Sequence, residues 1–307
     1  MARPSATEIR AGRRRVRVTH PDKLLFPDDG ITKADLVAYL VEVAPAMLPH
    51  VRDRPLSLHR FNDGLAGEGF FQKEIPRGAP DWVRRVRVPK QGGTVCHPLA
   101  QDAAALAWLG NQNCITPHVW TSRVDRLDRP DRLVFDLDPA GGDEDFGLVR
   151  RTARELRDLL SELGATAFAM TSGSRGVHVV VPLRRRYGFD RVEQAARAVA
   201  DELVARRPDD LTTAFRKQER GGRLFVDVLR TRWAQTTVAP YAVRARPGAP
   251  VAVPLRWEEL EDGGLPRAGA LTLRDVPDRL GRDGDPWHDI AKAAGTLPGA
   301  PGERRAR

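Results

Sequence analysis

Cysteine is nearly absent from this chain: two in 307 residues, Cys96 and Cys114. So sparse a pair excludes a disulfide framework and fits a reducing compartment, so the cytoplasm is the expected location. Long hydrophobic runs are missing too. The apolar stretches are short and broken by Arg, Asp or Pro, which leaves no membrane-spanning segment and no membrane partner. The basic N-terminal residues are not followed by an apolar core, so no secretory signal is expected. Lysine is scarce, six of fifty basic residues, and each Lys position therefore merits separate inspection. Charge is what the chain has in plenty: 30% charged residues against 41% hydrophobic, the balance of a globular protein. The net charge of +9 is concentrated at the ends. Residues 1–17 carry six Arg and one Glu, residues 303–307 three Arg and one Glu, and about +2 remains for everything between. Residues 1–15 and 296–307 therefore read as disordered basic arms, which either add salt-sensitive affinity for phosphate backbones or are simply solvated. Residues 16–295 read as a single domain.

Periodicity places the elements. Thr32 is a good N-cap for a helix from Lys33 to about Leu48, with Leu36, Val37, Leu40 and Val43 on one apolar face. Helices are also predicted over 102–109, 148–163 (stopped by Gly164) and 192–206. Strands are predicted over 133–137, 167–170, 177–181, 224–229 and 236–243. The second half thus runs β-α-β-β-α-β, the order of a ferredoxin-like or RNA-recognition-type antiparallel sheet, over about residues 131–245.

Three segments carry chemistry. In Leu133-Val134-Phe135-Asp136-Leu137-Asp138-Pro139, strand alternation presents Asp136 and Asp138 on one side, where two carboxylates call for a cation between them. The plainer reading is a strand end with solvated Asp residues. In Thr171-Ser172-Gly173-Ser174-Arg175-Gly176-Val177-His178, a Gly turn brings backbone N–H groups, hydroxyls and the Arg175 guanidinium together in a phosphate nest, with His178 a further donor. An ordinary hairpin turn with a satisfied histidine is the alternative. In Leu224-Phe225-Val226-Asp227-Val228-Leu229-Arg230, Asp227 interrupts an apolar strand, where an unpaired charge is expensive, so it needs a metal ion or another cation. Arg230, three positions on, falls on the opposite face unless the strand ends at Asp227. A third carboxylate beside Asp136 and Asp138 completes a ligand set for two metal ions.

Lesser signals accompany these. Lys23 and Lys33 flank a helix start, a plausible phosphate grip. Phe70 and Phe71 stand beside Lys73, where an exposed ring can stack a base, although their alternation places at least one in the core. Cys96, His97, Cys114 and His118 are too loosely spaced for a standard zinc site.

Together, these segments resemble the polymerase domain of the bacterial multidomain ligase D, in the archaeo-eukaryotic primase superfamily. The resemblance covers about residues 16–250 and rests on six segments in the right order: His20–Pro27, Phe70–Lys73, Val134–Pro139, Thr171–His178, Phe225–Asp227 and Thr236–Tyr241. It implies an α+β primase-type polymerase fold, with a recognition-motif-like antiparallel catalytic sheet and a flanking α/β subdomain. It implies template-directed nucleotidyl transfer from NTP or dNTP, favouring ribonucleotides, at gaps or double-strand breaks in non-homologous end joining. Asp136, Asp138 and Asp227 match the family's ligands for two divalent ions, manganese above magnesium. Ser172 and His178 match residues that hold the triphosphate, with Arg175 beside them in the turn; His118, Arg230 and Arg244 match others lining that pocket. Lys23 and Lys33 match the pair that recognises a DNA 5′-phosphate, and Phe70 and Phe71 match aromatics near the template bend. The sequence to residue 307 holds no ligase lysine motif and no phosphoesterase segment. The expectation is therefore a free-standing, nucleoid-associated enzyme, or one acting with Ku and a separate ATP-dependent ligase.

Two other classes compete. Strand–Asp-x-Asp also opens haloacid-dehalogenase-like phosphohydrolases, which need a hydroxyl residue and a helix directly afterwards. Pro139-Ala140-Gly141-Gly142 supplies neither. A non-catalytic DNA-end-binding protein is the other, and the retained cluster of carboxylates argues against it.

Overall fold

A computed structural model describes residues 6–142, 145–261 and 264–299. The expected single domain divides instead into two compact units, and the chain passes between them repeatedly. The first takes residues up to Trp120 with Thr236–Ala252 and Leu271–Asp285. The second takes Thr121–Gln235, Val253–Ala270 and the chain from Pro286 onward.

In the first unit a four-stranded antiparallel sheet runs in the order Thr236–Val238, Cys114–Trp120, Leu56–Arg60, Phe70–Gln72. Thr32 caps the following helix in a reciprocal box: its hydroxyl accepts from the Asp35 N–H at 3.2 Å, and its own N–H donates to the Asp35 carboxylate at 2.8 Å. Leu36, Val37 and Leu40 are buried as the periodicity requires. The helix predicted to Leu48 is broken, however. It covers Lys33–Glu42, and Ala44–Val51 follows at a bend of 77°. Pro45 is the reason, because it has no N–H to continue the first helix's hydrogen bonds and is well accepted in the first turn of a new helix.

The N-terminal arm is a second correction. Ala6–Ala11 pairs with Arg14–Thr19 in an antiparallel hairpin, in which Ala11, Val16 and Val18 pack on Val37, Ala104 and Ala107. Arginine content suggested a disordered segment, but Ile9, Ala11, Val16 and Val18 alternate with polar residues, and Ala11, Val16 and Val18 are buried. The expected 296–307 tail lies mostly outside the described residues.

The second unit holds a six-stranded sheet in the order Leu211–Thr212, Leu224–Asp227, Arg132–Asp138, Val177–Pro182, Phe168–Thr171, Pro254–Leu255. Its four central strands are mutually antiparallel and have the spatial order 4-1-3-2, as a β-α-β-β-α-β chain folds. Leu133, Phe135, Leu137, Val177, Val179 and Val226 share a core with Val149, Leu156 and Leu160 of the Phe146–Glu162 helix and Val192, Ala196 and Val199 of the Phe189–Arg206 helix. Because side chains alternate along a strand, that packing commits Asp136, Asp138, His178 and Asp227 to the other face. Two boundaries differ from expectation. The strand predicted to Leu229 ends at Asp227, where a 3-10 turn over Leu229–Thr231 begins. Thr236–Val238, expected in this sheet, pairs instead with Cys114–Trp120 in the first unit, after Ala234 adopts left-handed backbone (φ 60°). Pro254–Leu255 takes the vacant edge. Among the described residues no single helix is long and apolar enough to cross a membrane.

Candidate functional site

The face of the second unit's sheet turned away from that helix-covered core gathers the acidic residues. Asp136 lies opposite His178 on one neighbouring strand and opposite Asp227 on the other. His178 Nε2 stands 3.3 Å from Asp136 Oδ1. Because the strand ends at Asp227, the 3-10 turn swings Arg230 back over it, and the Arg230 Nε lies 3.5 Å from Asp136 Oδ2 and 3.6 Å from Asp227 Oδ2. The open question of which way Arg230 points is thus answered by where the strand stops. Asp227 Oδ1 also accepts the Leu229 N–H at 2.7 Å. Burial raises the Asp227 carboxyl above its ordinary range, and the Asp136 charge adds to this. The Leu229 N–H, Arg230 and His178 oppose the shift without cancelling it.

Asp138, further along the same face, is held by two other guanidiniums. Arg175 Nη2 is 3.4 Å from one oxygen and Arg220 Nη1 3.2 Å from the other. Arg220 lies over the Phe225 ring at 4.0 Å, so its orientation is fixed by packing as well as by charge. The three carboxylates are therefore answered by three arginines. Among the described residues no three His, Cys, Asp or Glu side chains converge closely enough to hold a metal ion. The donor chemistry nonetheless fits hard divalent cations: carboxylate oxygens opposed on adjacent strands, one of them on a carboxyl whose pKa burial raises.

The glycine turn is tighter than a bare nest. Ser172 Oγ accepts the N–H groups of Ser174 at 3.2 Å and Gly176 at 3.1 Å, and the Ser172 N–H donates to the Gly176 carbonyl at 2.9 Å. Two of the N–H groups expected to face an anion are thus turned inward, and the hydroxyl, having accepted twice, can act there only as a donor. Gly173 has φ 63°, and a Cβ on Gly176 would stand 2.0 Å from the Leu137 carbonyl, so the turn lies directly against the Asp-bearing strand. Arg175 points inward, donating to the Gly141 carbonyl at 3.1 Å as well as reaching Asp138.

The first unit carries the remaining predicted residues, in two groups. Lys33 is buried; its ammonium donates to the Asn111 carbonyl at 3.3 Å, and its backbone N–H to the Lys23 carbonyl at 2.8 Å. Lys23 donates to the Asn62 carbonyl and lies 3.7 Å from Asp63. Burial, then the charges of Lys23 and Arg60, bring the Lys33 pKa down to about 8. Arg60 is oriented by the Gln112 carbonyl at 2.7 Å and the Gln72 amide oxygen at 2.6 Å. The result is a compact cluster of three cations with the exposed Asp63 carboxylate at its edge beside Lys23, an electrostatic setting that suits an anion seat.

In the second group, His118 of the Cys114–Trp120 strand meets Phe71 edge to face at 5.2 Å, and Phe71 stacks flat on His59 at 4.3 Å and 4°. Burial and the Arg244 charge both lower the His59 pKa. Gly69 makes the stack possible: a Cβ there would lie 2.3 Å from the Phe61 ring. Both Phe70 and Phe71 are exposed, 41% and 58%, so neither is in the core; Phe70 lies beneath the Arg60 guanidinium at 5.4 Å. The zinc alternative gains no support from the geometry, since His118 is turned to the Phe71 ring at 5.2 Å and His97 to the Trp120 ring at 5.8 Å.

Sequence reasoning missed Arg220, Arg60 and His59. The signal for Arg220 was the basic run Arg216, Lys217, Arg220, Arg223 immediately before the Asp227 strand. For Arg60 and His59 it was their place on a strand pairing with Phe70 and Phe71, which no local pattern reveals.

Residues 32–287 match the family model "LigD, primase-polymerase domain". The multifunctional non-homologous end joining protein LigD of Mycolicibacterium smegmatis is 36% identical over 273 residues, 88% of this chain and 35% of that protein. That of Pseudomonas aeruginosa is 38% identical over 291 residues, 94% of this chain and 34% of that protein. The chain therefore spans about a third of the length of these relatives. The polymerase domain of Mycobacterium tuberculosis ligase D, solved in complex with DNA, superposes with a TM-score of 0.84 at 34% identity, over 91% of this chain and 99% of that one.

Proposed function

Since the chain belongs to the ligase D primase-polymerase family, we propose that it is a metal-dependent, template-directed nucleotidyltransferase that fills gaps or extends ends at DNA breaks in non-homologous end joining, with ribonucleotides preferred. The observation that carries this reading is the opposition of Asp136 and Asp227 across adjacent strands, with Asp138 on the same face. Asp136, Asp138 and Asp227 would hold two divalent ions, manganese in our reading, which when bound neutralise charge on the attacking 3′-oxygen and the leaving pyrophosphate. Arg230 now lies where positive charge is needed, and the triphosphate of an NTP or dNTP gives it an alternative partner. The Ser172 hydroxyl, Arg175 and His178 offer donors beside the carboxylates, and His118 and Arg244, in the first unit, are nucleotide-binding residues in our reading.

Lys23 and Lys33, reinforced by Arg60, would receive the 5′-phosphate across a gap. An ammonium held at a lowered pKa gains most from a dianion, which an internal phosphodiester cannot match in charge. Phe71, backed by His59, would stack a template base, with Phe70 beside it. The mycobacterial relative solved with DNA supports DNA as the substrate. The names of the relatives support the end-joining setting; in our reading Ku and a separate ATP-dependent ligase are the partners, and the enzyme acts at the nucleoid in the cytoplasm. Family membership sets the phosphohydrolase reading aside. Primer extension on gapped DNA with manganese or magnesium and each nucleotide type tests the proposal. No extension by wild type under any of these conditions leaves the non-catalytic end-binding reading in its place.

A further inference from the structure

The hairpin of Ala6–Ala11 and Arg14–Thr19 has two unlike faces. One carries Ile9, Ala11, Val16 and Val18 into the core, with Arg14 laid over the Trp82 ring at 5.3 Å. The other carries Glu8 and Arg10 on the first strand and Arg15 and Arg17 on the second, with Arg13 in the turn; all five are exposed. Arg10 stands directly opposite Arg15, a like-charge pair that destabilises a hairpin unless something anionic lies over it. Glu8 is the sole acidic residue on this face, and its contact with Arg15, at 3.7 Å between exposed groups, is worth little.

From this face we infer a second DNA contact: it tracks the phosphate backbone of the duplex downstream of the gap. The inference rests on the proposed reading of Lys23 and Lys33 as the 5′-phosphate seat, to which the hairpin is physically joined. The charged face ends at Thr19, whose N–H and hydroxyl both reach the Asn111 side-chain oxygen, at 2.9 and 3.2 Å. The carbonyl of that same Asn111 receives the Lys33 ammonium at 3.3 Å. A strand anchored by its terminal phosphate at Lys33 therefore has this face within reach as it continues. The spacing suits it. Alternate residues such as Arg15 and Arg17 recur about 6.6–6.8 Å apart along a strand. One strand of B-DNA rises about 3.4 Å per phosphate while winding about the axis, which sets neighbouring phosphates roughly 7 Å apart, the same interval. Such contacts are sequence-independent, as a break-repair enzyme requires.

The test measures binding of 5′-phosphorylated gapped DNA by fluorescence anisotropy across a salt series. Downstream arms of about 5 and about 20 base pairs are compared. The variant Arg10→Gln/Arg13→Gln/Arg15→Gln/Arg17→Gln leaves the buried face and Arg14 intact, and circular dichroism checks its fold. Each phosphate contact contributes about 0.9 to the slope of log K against log salt. The Gln variant is expected to flatten the slope by roughly 2–3 and to weaken binding roughly tenfold or more on the long arm, with little change on the short one. The corresponding Arg→Lys variant keeps the charges and should keep the slope; this result also covers the case in which the Gln variant fails to fold. An unchanged slope on the long arm, or equal losses on both arms, overturns the inference. Selective loss of binding to vesicles of anionic phospholipid, with DNA binding retained, also overturns it and assigns the face to a membrane surface. A wild-type chain that binds no gapped DNA at all instead removes the proposed function on which the inference stands.

Discussion

Asp136 and Asp227 are direct cross-strand partners, and the guanidinium of Arg230 lies within 3.6 Å of both carboxylates. Arg230 is thus the internal counter-ion of a pair that would otherwise repel, and it occupies the place where the proposed chemistry requires divalent charge. Its hold is modest, because the side chain is 41% exposed and both contacts are longer than a good charge-assisted hydrogen bond.

Replacing Asp136 by Ala is expected to abolish primer extension, by at least about a hundredfold, a loss typical when a charge-stabilising group leaves a site. Affinity for gapped DNA should change little, since phosphate contacts elsewhere carry it. Extension at near wild-type rate with manganese would remove Asp136 from the catalytic set.

Asp227→Asn should separate stability from activity. Burial and the Asp136 charge raise the Asp227 pKa above its unfolded value, so the ionised form is the one the fold disfavours. The associated stability is present below the unfolded pKa of 3.8 and is lost as pH rises through the folded value. At neutral pH the amide, which can still accept the Leu229 N–H, should therefore raise the melting temperature of the metal-free protein while eliminating extension. The difference should shrink towards pH 3–4, the range of the unfolded carboxyl. A lower melting temperature at pH 7 would mean that Arg230 and His178 outweigh burial.

Lys33 gives the opposite titration. Its pKa of about 8 lies below the ordinary 10.5, so in DNA-free protein stability should rise as pH climbs through that interval. Lys33→Met should accordingly stabilise the free protein at pH 7. Wild type should prefer gaps bearing a 5′-phosphate, and the double variant Lys23→Ala/Lys33→Ala should lose that preference while still extending a simple primer-template. A retained preference would move the phosphate seat elsewhere.

Arg244→Ala should raise the apparent nucleotide requirement roughly tenfold, the cost of one charge-assisted phosphate contact of about 1.5–3 kcal/mol. It should also relieve His59 of a nearby positive charge, so the His59 imidazole should titrate at higher pH in the variant. Histidine NMR shifts followed against pH check this directly. An unmoved His59 with normal nucleotide dependence would exclude Arg244 from both roles.

How much of this was legible depended on the range of the pattern. The i, i+2 spacing of Asp136 and Asp138, the glycine turn at 173–176 and the two amphipathic helices over the core are local signals, and the β-α-β-β-α-β order followed from them. The pairing of Asp136 with Asp227 joins residues far apart in sequence and depends on strand order, which periodicity does not encode. Arg220, reaching Asp138 from a loop, and His59, stacked beneath Phe71, were invisible for the same reason. The N-terminal hairpin was a different kind of error. Counting arginines suggested disorder up to residue 15, whereas the alternation of Ile9 and Ala11, ahead of the alternating Val16 and Val18, already marked a half-buried strand pair.

The strand Thr236–Val238 pairs in the first unit's sheet, while the chain on either side of that unit's 236–252 segment belongs to the second unit. Neither unit is therefore a contiguous stretch of the gene. A recombination crossover or a proteolytic cut at any single point between Trp120 and Thr236 parts the first unit's sheet from one of its strands, so the two units are inherited and co-adapted together.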